Sequence, residues 1–281
     1  MNRRSFMAAS ASVASGAGLG VVSSGEAHAA PQRANGGGMN NGNRKQVLDL
    51  RRYTFASPEK FATFESFVAT GLVPALNRQG IQPVGAFKMT KADNPEAKFE
   101  GDTSLELFVL VPHSSLESVA TLDAKLAADT IHAKALVGLN ETAKDPAYAR
   151  YESSLLLAFD DCPQVEVPTR AATRVLQLRI YEAYNAERSR MKVRMFNAGG
   201  EIRIFREVGM NPVFFGHAFA GVRLPNLTYM LGFENDEAMK AAWSKFGAHP
   251  DWQKLRIDPI YQDTVSSITN FVLHPLSGSQ I

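Results

Sequence analysis

Two short stretches hold the side chains best suited to chemistry. VLDLRRY at residues 47–53 and VLQLRIY at 175–181 each set an arginine two residues before a tyrosine, giving Arg51 with Tyr53 and Arg179 with Tyr181. Alternating residues of a strand share a face, so each guanidinium points the same way as its phenol. Such a pair suits an anion, with the tyrosine supplying a hydroxyl or a flat surface. A buried guanidinium needs a counter-charge, and two sources are open. It can be a protein carboxylate, such as Asp49, Glu106 or Glu152, locking two sheets in register. It can equally be an anionic ligand held by Arg51, Tyr53, Arg179 and Tyr181. The alternation predicts Leu48 and Leu50, and Leu176, Leu178 and Ile180, toward covering helices. Asp49, Arg51 and Tyr53, and Gln177, Arg179 and Tyr181, are then expected to converge on one shared interior.

Other reactive residue types are sparse. His217 shares a strand face with Val213, Phe215 and Phe219, where a histidine is either a satisfied core residue or a ligand contact. His249 precedes Pro250 and reads as a cap or turn residue. Trp243, Phe246 and Trp252 follow helical spacing loosely and read as core. Arg188, Arg190, Lys192 and Arg194 read as a solvated helix face. Cys162 is the chain's single cysteine; no intrachain disulfide can form, and nothing near it in sequence would activate the thiol. No HExxH, CxxC, GxSxG or Walker motif occurs. Gly36-Gly37-Gly38 is not flanked by strand and helix and is no phosphate cradle. No cofactor and no metal site are expected.

The elements that must position these residues repeat. Val47 recurs as Val175, and Gln82-Pro83-Val84 is echoed by Asn211-Pro212-Val213 with the register slipped by one residue. Such an echo signals duplicated structure. Each copy reads strand, helix, strand, strand, helix, strand. Ser57-Pro58 gives an N-cap and an N1 proline, Ser114 to Glu117 a capping box, and Asn185 and Asn235 caps in the second copy. Gly199-Gly200 is expected to weaken or kink the helix that follows Asn185. A βαββαβ order is the ferredoxin-like unit, whose helix-free sheet face must be covered. The predicted class is therefore α+β: two tandem ferredoxin-like domains forming a pseudo-dimeric α/β barrel. The expected boundaries are a signal at 1–30, a leader at 31–45, domains at 46–160 and 173–276, and a linker at 161–172.

The 281 residues are 45% hydrophobic with a formal net charge of +2, too mild for a nucleic-acid partner. The amino terminus, MNRRSFMAAS, pairs Arg3 with Arg4 and leads through a weakly apolar run to Ala27-His28-Ala29. That layout is an export signal and resembles the twin-arginine type, with cleavage after Ala29 or Ala30. Gly16, Gly18, Gly20, Ser23 and Ser24 make the run too polar to span a bilayer. The resemblance implies a periplasmic or secreted protein that is exported folded. The partners this reading admits are a small-molecule ligand and further copies of the chain.

LDLRRYTF and LQLRIYEAY, with Gly247-Ala248-His249-Pro250-Asp251-Trp252-Gln253, resemble the NIPSNAP family of the dimeric α/β-barrel superfamily. The likeness spans roughly residues 46–275 and is better in the second copy; the first reads Asp129-Thr130-Ile131-His132 where Pro-Asp-Trp-Gln would fall. The resemblance implies the barrel fold and no agreed reaction. It leaves three functions open. One is a binding protein for a small anionic or aromatic molecule in the inter-domain barrel. Another is a cofactor-independent enzyme of the monooxygenase or isomerase kind. The third is a haem protein of the chlorite-dismutase type using His217 or His249.

Overall fold

The computed structural model describes residues 44–95, 103–139 and 142–281. The expected signal, and the leader up to residue 43, lie outside the described residues.

The first half runs β1 (Val47–Thr54), α1 (Pro58–Phe67), a π-helical stretch (Val68–Leu72), α2 (Val73–Arg78), β2 (Gly85–Thr90), β3 (Thr103–His113), α3 (Leu116–Ala128), α4 (Thr130–Val137) and β4 (Arg150–Ala158). The second runs β5 (Val175–Glu182), α5 (Ala186–Phe196), α6 (Glu201–Glu207), β6 (Asn211–Ala220), β7 (Asn226–Phe233), α7 (Asp236–Ala248), α8 (Pro250–Leu255) and β8 (Ser267–Pro275). Side-chain caps start the main helices: Ser57, Ser115, Asn185 and Asn235 each accept from the backbone N–H three residues on. The eight strands close in the order β1-β3-β2-β8-β5-β7-β6-β4. Each half thus keeps the ferredoxin-like order, and the halves join edge to edge along β2–β8 and β4–β6. Closure removes every free strand edge. Asn94 reinforces one seam, its side-chain amide donating to the Val272 carbonyl and accepting from the Val272 N–H at 2.8 Å each. Among the described residues no helix is long and apolar enough to cross a membrane.

The face assignment drawn from alternation is reversed. All eight strands send Leu48, Leu50, Phe87, Met89, Phe108, Leu110, Leu156, Leu176, Leu178, Phe214, Met230, Leu273 and their neighbours into one buried cluster, the barrel interior. Tyr53, Leu107, Val109 and Val111 instead pack beneath the first half's helices, and Leu227, Tyr229 and Leu231 beneath the second's. Asp49, Arg51, Gln177 and Arg179 lie opposite these residues in register, so they face helices too. An eight-stranded barrel has room for side chains and little else, and its dry interior takes the leucines. Arg51 and Arg179 go outside, where the joints between helices can reach water, while Arg52, on the opposite face of β1, points inward beside Phe108 and Phe271. The space left inside is about 40 Å³, beside Leu50, Phe108, Leu178 and Phe271. Among the described residues that interior space is too small for a ligand, and the two arginine–tyrosine pairs do not share it.

Candidate functional site under the helices of the second half

Arg179 and Tyr181 lie on the outer face of β5, roofed by α5, α7 and α8. Among the described residues no carboxylate pairs with Arg179, and its Nε is buried without a hydrogen-bond partner. Its guanidinium carbon sits 4.7 Å over the Trp243 ring and 5.4 Å over that of Tyr181. The indole is fixed in turn: Trp243 Nε1 donates to Gln177 Oε1 at 2.6 Å, and Gln177 Nε2 donates to Asn270 Oδ1 at 2.8 Å. Arg179 is thus held by an aromatic face rather than by an acid, and its charge stays uncompensated.

The helices bring two further charges. On α5 the buried residues are Ser189, Lys192, Met195 and Phe196, a stripe at helical spacing. Lys192 belongs to it, contrary to the solvated row expected from sequence. The chain breaks after α5 rather than kinking, and Gly200 at φ 84° turns it into α6, a left-handed conformation that glycine adopts without strain. Glu201 is thereby delivered beneath α5, where Lys192 Nζ donates to its Oε2 at 2.9 Å, both residues buried. Lys192 also lies 4.7 Å over Phe196. His249 caps α8, its Nδ1 accepting from the Asp251 N–H at 3.2 Å, and so sets Trp252 against Phe246 at 4.4 Å between ring centroids.

Between these groups lies a cavity of about 420 Å³ lined by Arg179, Tyr181, Lys192, Glu201, Trp243 and Trp252, with Phe246, Gly247, Val265 and Ile268. That is the size range of small-molecule pockets, which are mostly apolar with a few placed polar groups. The hydroxyls of Tyr181 and Tyr229 meet at 3.1 Å. Burial raises the pKa of both above the ordinary tyrosine value, opposed at Tyr181 by Arg179, so both stay protonated at neutral pH. Trp243 and Trp252, expected as core, are walls of this space.

The remaining candidates lie elsewhere. Arg51 and Tyr53 occupy the equivalent place in the first half, where Arg51 Nε pairs with Asp49 Oδ2 at 2.6 Å and Ser153 Oγ donates to Asp49 Oδ1 at 2.6 Å. Glu106 is engaged by Arg52, which faces the barrel interior beside Phe108 and Phe271. His217 lies on the helix side of β6 with its Nε2 3.1 Å from Ser189 Oγ; burial and Arg190 lower its basicity. Neither His217 nor His249 lines the cavity. The Cys162 thiol is buried, and burial with Glu166 beside it pushes its pKa up to about 12, the state of an inert thiol.

Fold and site together define the class: a pseudo-dimeric α/β barrel with a ligand-sized cavity under the helices of one half. Residues 176–280, most of the second half, match the NIPSNAP family model. The fold is similar to that of a monooxygenase candidate from Lactobacillus acidophilus, at 12% identity over 84% of this chain and 98% of that one, with a TM-score of 0.54. A second monooxygenase candidate, from Fusobacterium nucleatum, aligns at 6% identity over 83% of this chain and 93% of that one, with a TM-score of 0.53. An uncharacterized NIPSNAP-like domain protein from Burkholderia xenovorans is 23% identical over 39% of this chain and 91% of its own, with a TM-score of 0.35. No curated protein matches the chain.

Proposed function

We propose that the second half is a receptor for a small anionic molecule, bound between β5 and the helices α5, α7 and α8. One observation carries this reading: Arg179 lines a cavity of about 420 Å³ with no carboxylate partner among the described residues. Arg179 is half-buried with no acid beside it, and an anion entering the cavity takes up its free charge. The test is denaturing extraction and mass spectrometry of the purified full chain and of Arg179→Met. The expected outcome is an anionic small molecule recovered with the wild type and depleted from the variant. Equal recovery from both would defeat the proposal.

A second reading, oxygenation or isomerisation of the bound molecule without a cofactor, draws support from the monooxygenase candidates that share the fold and from the Tyr181–Tyr229 hydroxyl pair. Oxygen consumption on adding the extracted molecule, lost in Tyr181→Phe, would distinguish an enzyme from a receptor. The paired Arg3 and Arg4 support a place of action outside the cytoplasm. Replacing both with lysine should retain the protein inside the cell, as fractionation would show.

A further inference from the structure

We infer that the ligand is a planar aromatic monoanion of the carboxylate type; this rests on the binding reading above and narrows it. Three features of the cavity lead there. The first is its charge. Arg179, Lys192 and Glu201 are the charged residues of the lining, and Lys192 and Glu201 neutralise each other at 2.9 Å. One positive charge remains. A ligand with one negative charge balances it, while a neutral or doubly charged one leaves a charge uncompensated among apolar walls.

The second feature is shape. Tyr181, Trp243, Phe246 and Trp252 supply ring surfaces, and Val265 and Ile268 complete the apolar lining. Phe246 stands perpendicular to Trp243 at 90° and tilted by 34° from Trp252. A flat ring can meet one of these faces and the edge of another, the two arrangements aromatic groups favour. The third is the direction of the donors. One face of the guanidinium lies over Trp243, and among the described residues no carboxylate accepts from its N–H groups, Nε being buried and unpartnered. A planar fork of N–H donors matches the two oxygens of a carboxylate.

The chain supplies its own reporter, because Trp243 and Trp252 are its only two tryptophans and both line the cavity. Indole fluorescence of the ligand-stripped full chain would be titrated with four probes: benzoate, benzamide, cyclohexanecarboxylate and isophthalate. Benzoate is expected to give a saturable change with a Kd at least about tenfold below that of benzamide, as losing a charge-assisted hydrogen bond implies, and below those of cyclohexanecarboxylate, which lacks the flat ring, and isophthalate, which brings a second, uncompensated charge. Arg179→Met should bring benzoate to the level of benzamide. Gln177→Glu should do the same by setting a carboxylate beside Arg179, as Asp49 stands beside Arg51, while circular dichroism shows the fold kept. If cyclohexanecarboxylate binds as well as benzoate, the ligand class is wrong although the receptor reading stands; if neutral benzamide does, the anion reading falls as well. If isophthalate binds more tightly, the charge count is wrong. If no probe changes the fluorescence, class and receptor reading fall together.

Discussion

The two halves place an arginine and a tyrosine at the same point of the same strand and do opposite things with them. In the first, Asp49 lies two residues before Arg51 and takes its charge. Tyr53 fills the space beside it, its ring 4.7 Å from Phe64, 5.3 Å from Tyr148 and 4.9 Å from Tyr151. In the second, Gln177 stands where Asp49 did. It turns its oxygen to Trp243 and its nitrogen to Asn270, leaving Arg179 to a cavity. Two conditions therefore separate a site from a strut: the neighbouring acid is absent, and aromatic side chains line the adjoining volume instead of filling it. Repeating the strand reproduces neither.

The comparison breaks most sharply on stability. Asp49→Ala leaves Arg51 buried without its partner and should cost about 3–5 kcal/mol. Arg179→Met, which removes an already unpaired charge and a cation–π contact, should change stability by no more than about 1 kcal/mol. Urea unfolding of the two variants checks both, and equal losses would erase the distinction between the halves. Trp243→Phe comes next. It strips the donor from the buried Gln177 oxygen and should cost about 1–3 kcal/mol in the same assay. Asp49→Gln then asks whether freeing an arginine is enough. Because Tyr53 and its neighbours occupy the space, calorimetry should still find one anion site per chain; a second would show that charge alone makes the pocket.

The smallest effect is in alkali. Burial raises the pKa values of Tyr53, Tyr151, Tyr181 and Tyr229 above the ordinary 10.0. Each group holds its proton longer folded than unfolded. The stability they contribute is fully present below pH 10 and is lost as pH rises beyond it. The urea midpoint should fall above that pH. Tyr53→Phe should blunt the fall more than Tyr181→Phe, because Tyr53 is the less exposed of the two and Tyr151 and Asp49 add to its burial, while an arginine opposes the shift at both sites.

Much of this architecture was legible in the residues. Ser57-Pro58, Asn185 and Asn235 mark helix starts where the caps form, and the alternation at 47–53 and 175–181 marks β1 and β5. Alternation, however, separates two faces without saying which is inside. Leucine suits either, and only closure of the barrel decides between them. Lys192 was hidden by the charges around it, although its spacing of three and four from Met195 and Phe196 puts it on their stripe. Glu201 could not be connected to it by spacing, since the left-handed turn at Gly200 breaks the helical period between them. Trp243 and Trp252 have the spacing of core residues, and no local pattern tells a residue that fills a volume from one that borders it.

The seam at β8 has a consequence for the order of assembly. β8 lies between β5 of its own half and β2 of the other, and it is the last of the eight strands to leave the ribosome. Until Ser267–Pro275 emerges, β2 offers an unpaired edge to any passing chain, however well the preceding helices have formed. Loss of that one segment would unzip a ring rather than shorten a sheet, exposing an edge on each half. Quality control of this protein during synthesis is then a matter of shielding β2 until its distant neighbour arrives.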